Sequence, residues 1–133
     1  MWGSRWLAQI EAQDPQPIVR AIDAVHGTPA GQRLEPETAR QALAASEVVA
    51  ASIGRPSSAL PASAHGLANR CAEVLRPLRA RARAAVERIR SERGPTTDAR
   101  DLYDEPDGWS EHADADARDW QTEMDLLTLR LAD

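Results

Sequence analysis

Residues 34–56, LEPETARQALAASEVVAASIGRP, decide how the chain folds. Glu35, Pro36 and Glu37 suit a first helical turn, because proline is tolerated where its missing N–H has no partner and carboxylates favour the positive end of the helix dipole. Gly54 and Pro56 mark the stop. Between Gln41 and Ile53 the one formal charge is Glu47, and apolar residues lie on more than one side of the helix. A helix of that kind is buried rather than solvated. The stretch from 36 to 53 is therefore expected to be the central helix of the fold, with Glu47 as an anomaly. Burying an unpaired carboxylate costs several kcal/mol. Its expected partner is an arginine of the basic helix further along, or Arg40 on the same side.

The flanking segments also read as helices. In MWGSRWLAQIEAQ, Trp2, Trp6 and Ile10 are four apart with Leu7 beside them, one face of a short amphipathic helix. Asp14 and Pro15 read as an N-cap and first helical position, opening a helix with the stripe Ile18, Val19, Ile22 and Val25 that ends at Gly27. The residues GTPAGQR at 27–33 form a loop. The residues GRPSSALPA at 54–62 are too rich in Pro, Gly and Ser to be anything but a surface connection. Beyond them Leu67, Cys71, Leu75, Leu78, Ala82, Ala85 and Ile89 keep a three-four spacing interrupted by Pro77, which predicts helices over 63–75 and 77–92 with a break or sharp kink near Arg76. Thr97 caps a short turn, DARDLYDE, that tucks Leu102 and Tyr103 inward. The final helix begins near Asp114 to Asp116, its stripe being Ala113, Ala117, Trp120, Met124, Leu127 and Leu131. No segment alternates like a strand and no repeat is visible. The expectation is one all-α domain over 1–133, a bundle of five or six short helices around the helix at about 36–53.

Composition narrows the class of function. Of the hydrophobic residues 25 are Ala, none is Phe and four are Trp, so helices should pack closely through alanine faces. All sixteen cations are Arg. That bias, with the alanine, is what a GC-rich bacterial genome produces. The net charge of −5 is unevenly spread: residues 1–69 carry −1, residues 70–97 carry +5, and residues 98–133, with twelve carboxylates against three arginines, carry −9. One cysteine excludes an internal disulfide and makes cytosol the default compartment. The sequence shows neither a membrane-spanning apolar run nor a secretion leader.

The chain resembles the bacterial domain of unknown function family 4259. The resemblance is carried by LEPETARQALAASEVVAASIGRPSSALP at 34–61, by AAVERI at 84–89 leading to DLYDE, and by a terminal helix with an inward Trp120 and a leucine-rich end. It extends from about Trp6 onward and rests on core-packing motifs, so it implies a helical fold and no particular activity. Members of that family open with a Gly- and Trp-containing stretch followed by an FDND-type turn. Here Met1, Trp2 and Gly3 lead directly into the helix and that turn is missing. The segment PDGWSEHADADARD at 106–119 is also longer and more acidic than the family pattern.

Candidate sites are few. Asp104, Glu105, Asp107, Glu111, His112, Asp114, Asp116 and Asp119 fall within residues 104–119, and converging carboxylates suit hard cations. The calcium-loop pattern fails in both frames: from Asp114 the sixth position is Asp119 instead of Gly, and from Asp107 the third position is Trp109. A solvated acidic helix start explains the same residues. His26, His65 and His112 lie in separate segments without a zinc or triad spacing. Cys71 sits on an apolar stripe and reads as a small core residue. Arg76, Arg79, Arg81, Arg83, Arg88, Arg90 and Arg93 could grip phosphates, yet they surround their helix, no aromatic interleaves them, and a strongly acidic segment follows. Intramolecular pairing with that segment is the favoured reading, and nucleic-acid binding by residues 76–93 stands third.

With no catalytic residue, cofactor or metal site expected, the leading expectation is a non-enzymatic protein-interaction module of a bacterial cytosol. It would be an immunity-like inhibitor that masks a basic partner through Asp104, Glu105, Asp107, Glu111, Asp114 and Asp116. The alternative is a metal-dependent or small-molecule enzyme using residues 104–119.

Overall fold

A computed structural model of the chain describes residues 4–10, 14–58, 60–93 and 113–132. Among the described residues every regular element is helical: α1 (Ser4–Gln9), α2 (Gln16–Gly27), α3 (Pro36–Ser52), α4 (Ala62–Arg70), α5 (Ala72–Leu75), α6 (Arg79–Arg93) and α7 (Ala113–Leu131), with a 3-10 turn at Arg76–Leu78. The fold is an all-α bundle around α3, as the sequence implies. Its described side chains in α7 run from Thr122 onward.

Helix α3 starts as its residues dictate, with Glu35 extended before Pro36 in the first turn. From Ala42 to Ser52 every residue is buried. The reason is that α2, α4, α6 and α7 all pack on it. Ser46 and Ser52, polar residues inside this helix, return their hydroxyls to the carbonyls of Ala42 and Val49 at 2.7 and 2.5 Å, which satisfies them without a partner helix. The helix ends in a Schellman motif: the Arg55 N–H donates to the Ala50 carbonyl at 2.9 Å and the Gly54 N–H to Ala51 at 3.0 Å. Gly54 takes φ +82°, the left-handed conformation that this cap needs.

The expected stripes are largely the buried ones, except that Val19 of α2 is half-buried and the side chains of Ala113 and Ala117 lie outside the described residues. Ile18, Ile22 and Val25 of α2, Leu67 of α4, Leu75 of α5, Ala82, Ala85, Val86 and Ile89 of α6, and Met124, Leu127 and Leu131 of α7 form one core with α3. Leu7 of α1 belongs to it, while Trp6, Ile10, Cys71 and Leu78 pack against its edge. The side chains of Trp2 and Trp120 and the turn expected at 98–105 lie outside the described residues.

The segmentation around Pro77 is finer than two helices separated near Arg76. Proline there removes an i→i−4 donor, and the chain tightens into the 3-10 turn, with the Arg79 N–H on the Arg76 carbonyl, before resuming as α6. The helix is interrupted earlier, at Cys71 (φ −109°, ψ 23°), where Gly66 and Asn69 weaken the end of α4. Asp14 and Pro15 lie one position further out than expected: α2 begins at Gln16, whose N–H donates to Asp14 Oδ1 at 3.0 Å.

Candidate interaction surface

Two sets of polar contacts fix how α7 is presented. The first is buried. Glu47 is only 3% exposed, and both its carboxylate oxygens accept from Arg130 Nη2, at 2.8 and 2.9 Å. Burial pushes the Glu47 carboxyl up from its ordinary 4.5 to about 7; the Arg130 charge and hydrogen bond oppose that rise, and Glu123 adds to it. The expectation that an arginine of the basic helix or Arg40 would partner Glu47 is corrected here. The buried face of α6 is Ala82, Ala85, Val86 and Ile89, so its arginines stand outside the stripe turned into the core. Arg130 instead stands beside the buried Leu131 of α7, in reach of α3.

The second set is made by arginines on helix ends. The last carbonyls of a helix lack intrahelical donors and carry the negative end of its dipole, so guanidinium groups suit them. Arg76 Nε donates to the Ser52 carbonyl at 2.9 Å, closing α3. Arg79 Nε donates to Leu131 at 2.9 Å and its Nη2 to Ala132, while Arg55 Nη1 donates to Arg130 and Ala132 at 3.1 and 2.8 Å, closing α7. Arg88 spans the exit of α2: Nη1 donates to Val25 and Thr28 at 2.7 and 2.6 Å, and Nη2 to Pro29 and Gln32 at 2.9 and 3.0 Å. Glu92, 3.8 Å from Arg88, accepts from the Leu34 N–H at 2.6 Å, so one turn of α6 holds the whole α2–α3 connection.

The remaining pairs lie at the surface. Arg81 meets Asp23 at 2.5 Å, Arg83 meets Glu87 at 3.3 Å, and Arg90 meets Asp125 of α7 at 2.9 Å. The favoured reading of the basic helix, pairing with the acidic segment, thus has Arg90–Asp125 as a described instance. Most of the other contacts go to backbone carbonyls, which sequence charge counting does not register. His26 joins them: its Nε2 donates to the Arg81 carbonyl at 2.9 Å.

What α7 turns outward follows from its period. Met124, Leu127 and Leu131 face the core, so Thr122, Asp125, Leu126 and Leu129 project on the opposite side. Leu126 is 48% and Leu129 66% exposed, beside the exposed Glu123 and Asp125. Arg130 is drawn inward to Glu47. Two notches elsewhere, about 210 Å³ lined by Trp6, Pro17, Arg20, Ala24, Thr38 and Gln41, and about 270 Å³ lined by Arg79, Arg83, Glu87 and Leu131, are smaller than the roughly 300 Å³ at which ligand clefts begin.

Of the expected partner-binding residues, Asp104, Glu105, Asp107 and Glu111 lie outside the described residues. Asp114 and Asp116 fall in the first turn of α7, and their side chains lie outside as well. Among the described residues no group of three or more His, Cys, Asp or Glu side chains is placed to hold a metal ion. Nor is any helix among them long and apolar enough to cross a membrane. Cys71 is half-buried at the α4–α5 joint. Sequence reasoning missed Leu126 and Leu129, although a helical projection anchored on Met124, Leu127 and Leu131 places both opposite the core. It also missed Arg55 and Arg130, for which only three-dimensional register supplies a signal.

A family model described as "Domain of unknown function (DUF4259)" matches residues 3–122. No curated protein and no solved structure matches the chain.

Proposed function

The chain belongs to the DUF4259 family, and from that premise we propose that it is a non-enzymatic protein-interaction module of the bacterial cytosol. Its acidic C-terminal part binds a basic protein partner, as an immunity protein masks a toxin. The observation that supports this reading is a separation of charge roles. Of the eight arginines of the +5 segment at 70–97, Arg76, Arg79 and Arg88 donate to the carbonyls that close α3, α7 and α2, and Arg81, Arg83 and Arg90 pair with Asp23, Glu87 and Asp125. The twelve carboxylates of residues 98–133 have three arginines to set against them, leaving −9, and one of the three, Arg130, faces Glu47. An unbalanced field of that sign steers a cationic surface and speeds its encounter.

Copurification of the tagged chain from its native host, at low and at high salt, tests the proposal. The expected result is a basic protein retained at low salt and released as salt screens the contact. Recovery of no protein partner at low salt overturns it.

A further inference from the structure

We infer that the notch where α1, α2 and α3 meet is a binding site for a small aromatic carboxylate, its charge held by the Arg20 guanidinium and its ring laid against the Trp6 indole. The notch is a consequence of residue size. Arg20, Ala21 and Ala24 lie on one side of α2 at helical spacing, and Thr38 and Gln41, three apart on α3, border the same space. The two alanines leave a gap of about 210 Å³ that longer side chains would fill, and the half-buried Trp6 of α1 forms its wall. That is too small for a drug-sized molecule. A cavity of about 150 Å³ takes benzene, however, so one ring with a carboxylate fits.

Chemistry selects the ligand. Arg20 is the one formal charge among the lining residues, which excludes a cation. Its guanidinium makes no hydrogen bond or ion pair among the described residues, whereas Arg55, Arg76, Arg79 and Arg88 are engaged with carbonyls. A guanidinium fork at the rim of an apolar gap suits a carboxylate, whose two oxygens it can meet at once. The half-buried Thr38 hydroxyl, also unengaged among the described residues, adds a donor. Gln41 gives one amide hydrogen to Glu37 Oε1 at 3.2 Å, which fixes the amide and leaves its second hydrogen for a ligand. Glu37 itself is outside the lining. The ring follows from Trp6: an indole bordering a gap of this size favours an aromatic neighbour, stacked or edge-on, beyond what simple burial gives. The site is independent of the basic partner proposed above.

Benzoate is the probe, with acetate supplying the charge without the ring and benzyl alcohol the ring without the charge. Each is titrated into the isotope-labelled full chain at neutral pH, and the indole N–H of Trp6, assigned from Trp6→Phe, is followed by NMR. Benzoate should give saturable shifts with a millimolar Kd, the strength open to a ligand of about nine heavy atoms in a solvent-facing notch. Acetate and benzyl alcohol should each bind about fivefold or more weakly. Arg20→Gln should weaken benzoate about fivefold or more, whereas Arg70→Gln, which alters another exposed arginine, should leave it unchanged. Because Arg20 is exposed, its variant should keep the native melting temperature, so that lost binding is not lost folding. Equal benzoate affinity in the native chain and Arg20→Gln overturns the inference, and so does benzyl alcohol binding as tightly as benzoate, which would make the notch a simple apolar gap. Absence of a saturable shift at every benzoate concentration overturns the site itself. None of these outcomes bears on the basic partner, which copurification tests separately.

Discussion

Glu47 of α3 and Arg130 of α7 stand 83 positions apart in the chain and meet inside the bundle, one guanidinium nitrogen within 2.9 Å of both carboxylate oxygens. This contact sets the register of the last helix against the central one. It also makes that register sensitive to pH. Burial outweighs the arginine, so the carboxyl is held up at about 7 in the folded chain against 4.5 ordinarily. Between those two values the folded state binds more protons at this site than the unfolded chain does. By linkage, stability from this group is fully present below about 4.5 and is lost as pH rises through about 7. The change amounts to about 3 kcal/mol. Comparison of Glu47→Gln with the native chain by chemical denaturation from pH 5 to pH 8 isolates it. The native chain should lose stability relative to the variant across that window; parallel profiles would show that Glu47 titrates normally.

Arg130→Met tests the other half of the pair. At pH 8 the native Glu47 is mostly ionised, and without its partner the buried carboxyl is driven to its protonated form, a loss of about 2 kcal/mol. At pH 5 Glu47 is protonated in both proteins, so the loss should shrink to about 1 kcal/mol or less. A pH-independent loss would mean that Arg130 acts through packing of its stem and not through its charge.

How far the fold was legible follows from which forces leave a periodic trace. The burial of α3, the stripes of α2, α6 and α7, and the Gly54 stop were legible because apolar period and glycine chemistry are local. Pro77 was legible as a disturbance, but its outcome, a 3-10 turn, was settled by neighbours that let the helix resume. The arginines were misread in part because sequence pairs charge with charge. In the folded chain Arg55, Arg76, Arg79 and Arg88 bind carbonyls, and every residue has one, so no spacing marks the target. Glu47 was legible as needing a partner, whereas the identity of Arg130 depended on how α7 crosses α3. Of the candidate surface, the acidity was visible in composition, whereas the outward Leu126 and Leu129 sit beside the inward stripe of a leucine-rich end that was read for its buried side alone.

Gly54→Ala isolates a backbone effect. An added Cβ would meet nothing within 4 Å, so sterics outside the residue contribute little. What remains is φ +82°, which a residue with a Cβ adopts at about 1 to 2 kcal/mol. Thermal or chemical denaturation should show that loss without change in oligomeric state or helix content. An effect near zero would show that α3 can end without the left-handed cap.

Arg88→Met and Arg83→Met, one helical turn and a residue apart on α6, should behave oppositely. Arg83 reaches Glu87 across an exposed i,i+4 spacing at 3.3 Å, a pairing whose removal changes stability by about 0.5 kcal/mol or less. Arg88 binds the carbonyls of Val25, Thr28, Pro29 and Gln32 and positions Glu92 for the Leu34 N–H. Methionine keeps much of the apolar stem and removes every donor, leaving part-buried carbonyls to water, a loss of about 2 to 3 kcal/mol. The same variant should speed amide exchange in the α2–α3 connection, including Leu34, while the centre of α3 keeps its protection. If Arg88→Met is as mild as Arg83→Met and leaves exchange at Leu34 unchanged, the connection is held by α2 and α3 themselves, and α6 is a neighbour rather than the clamp.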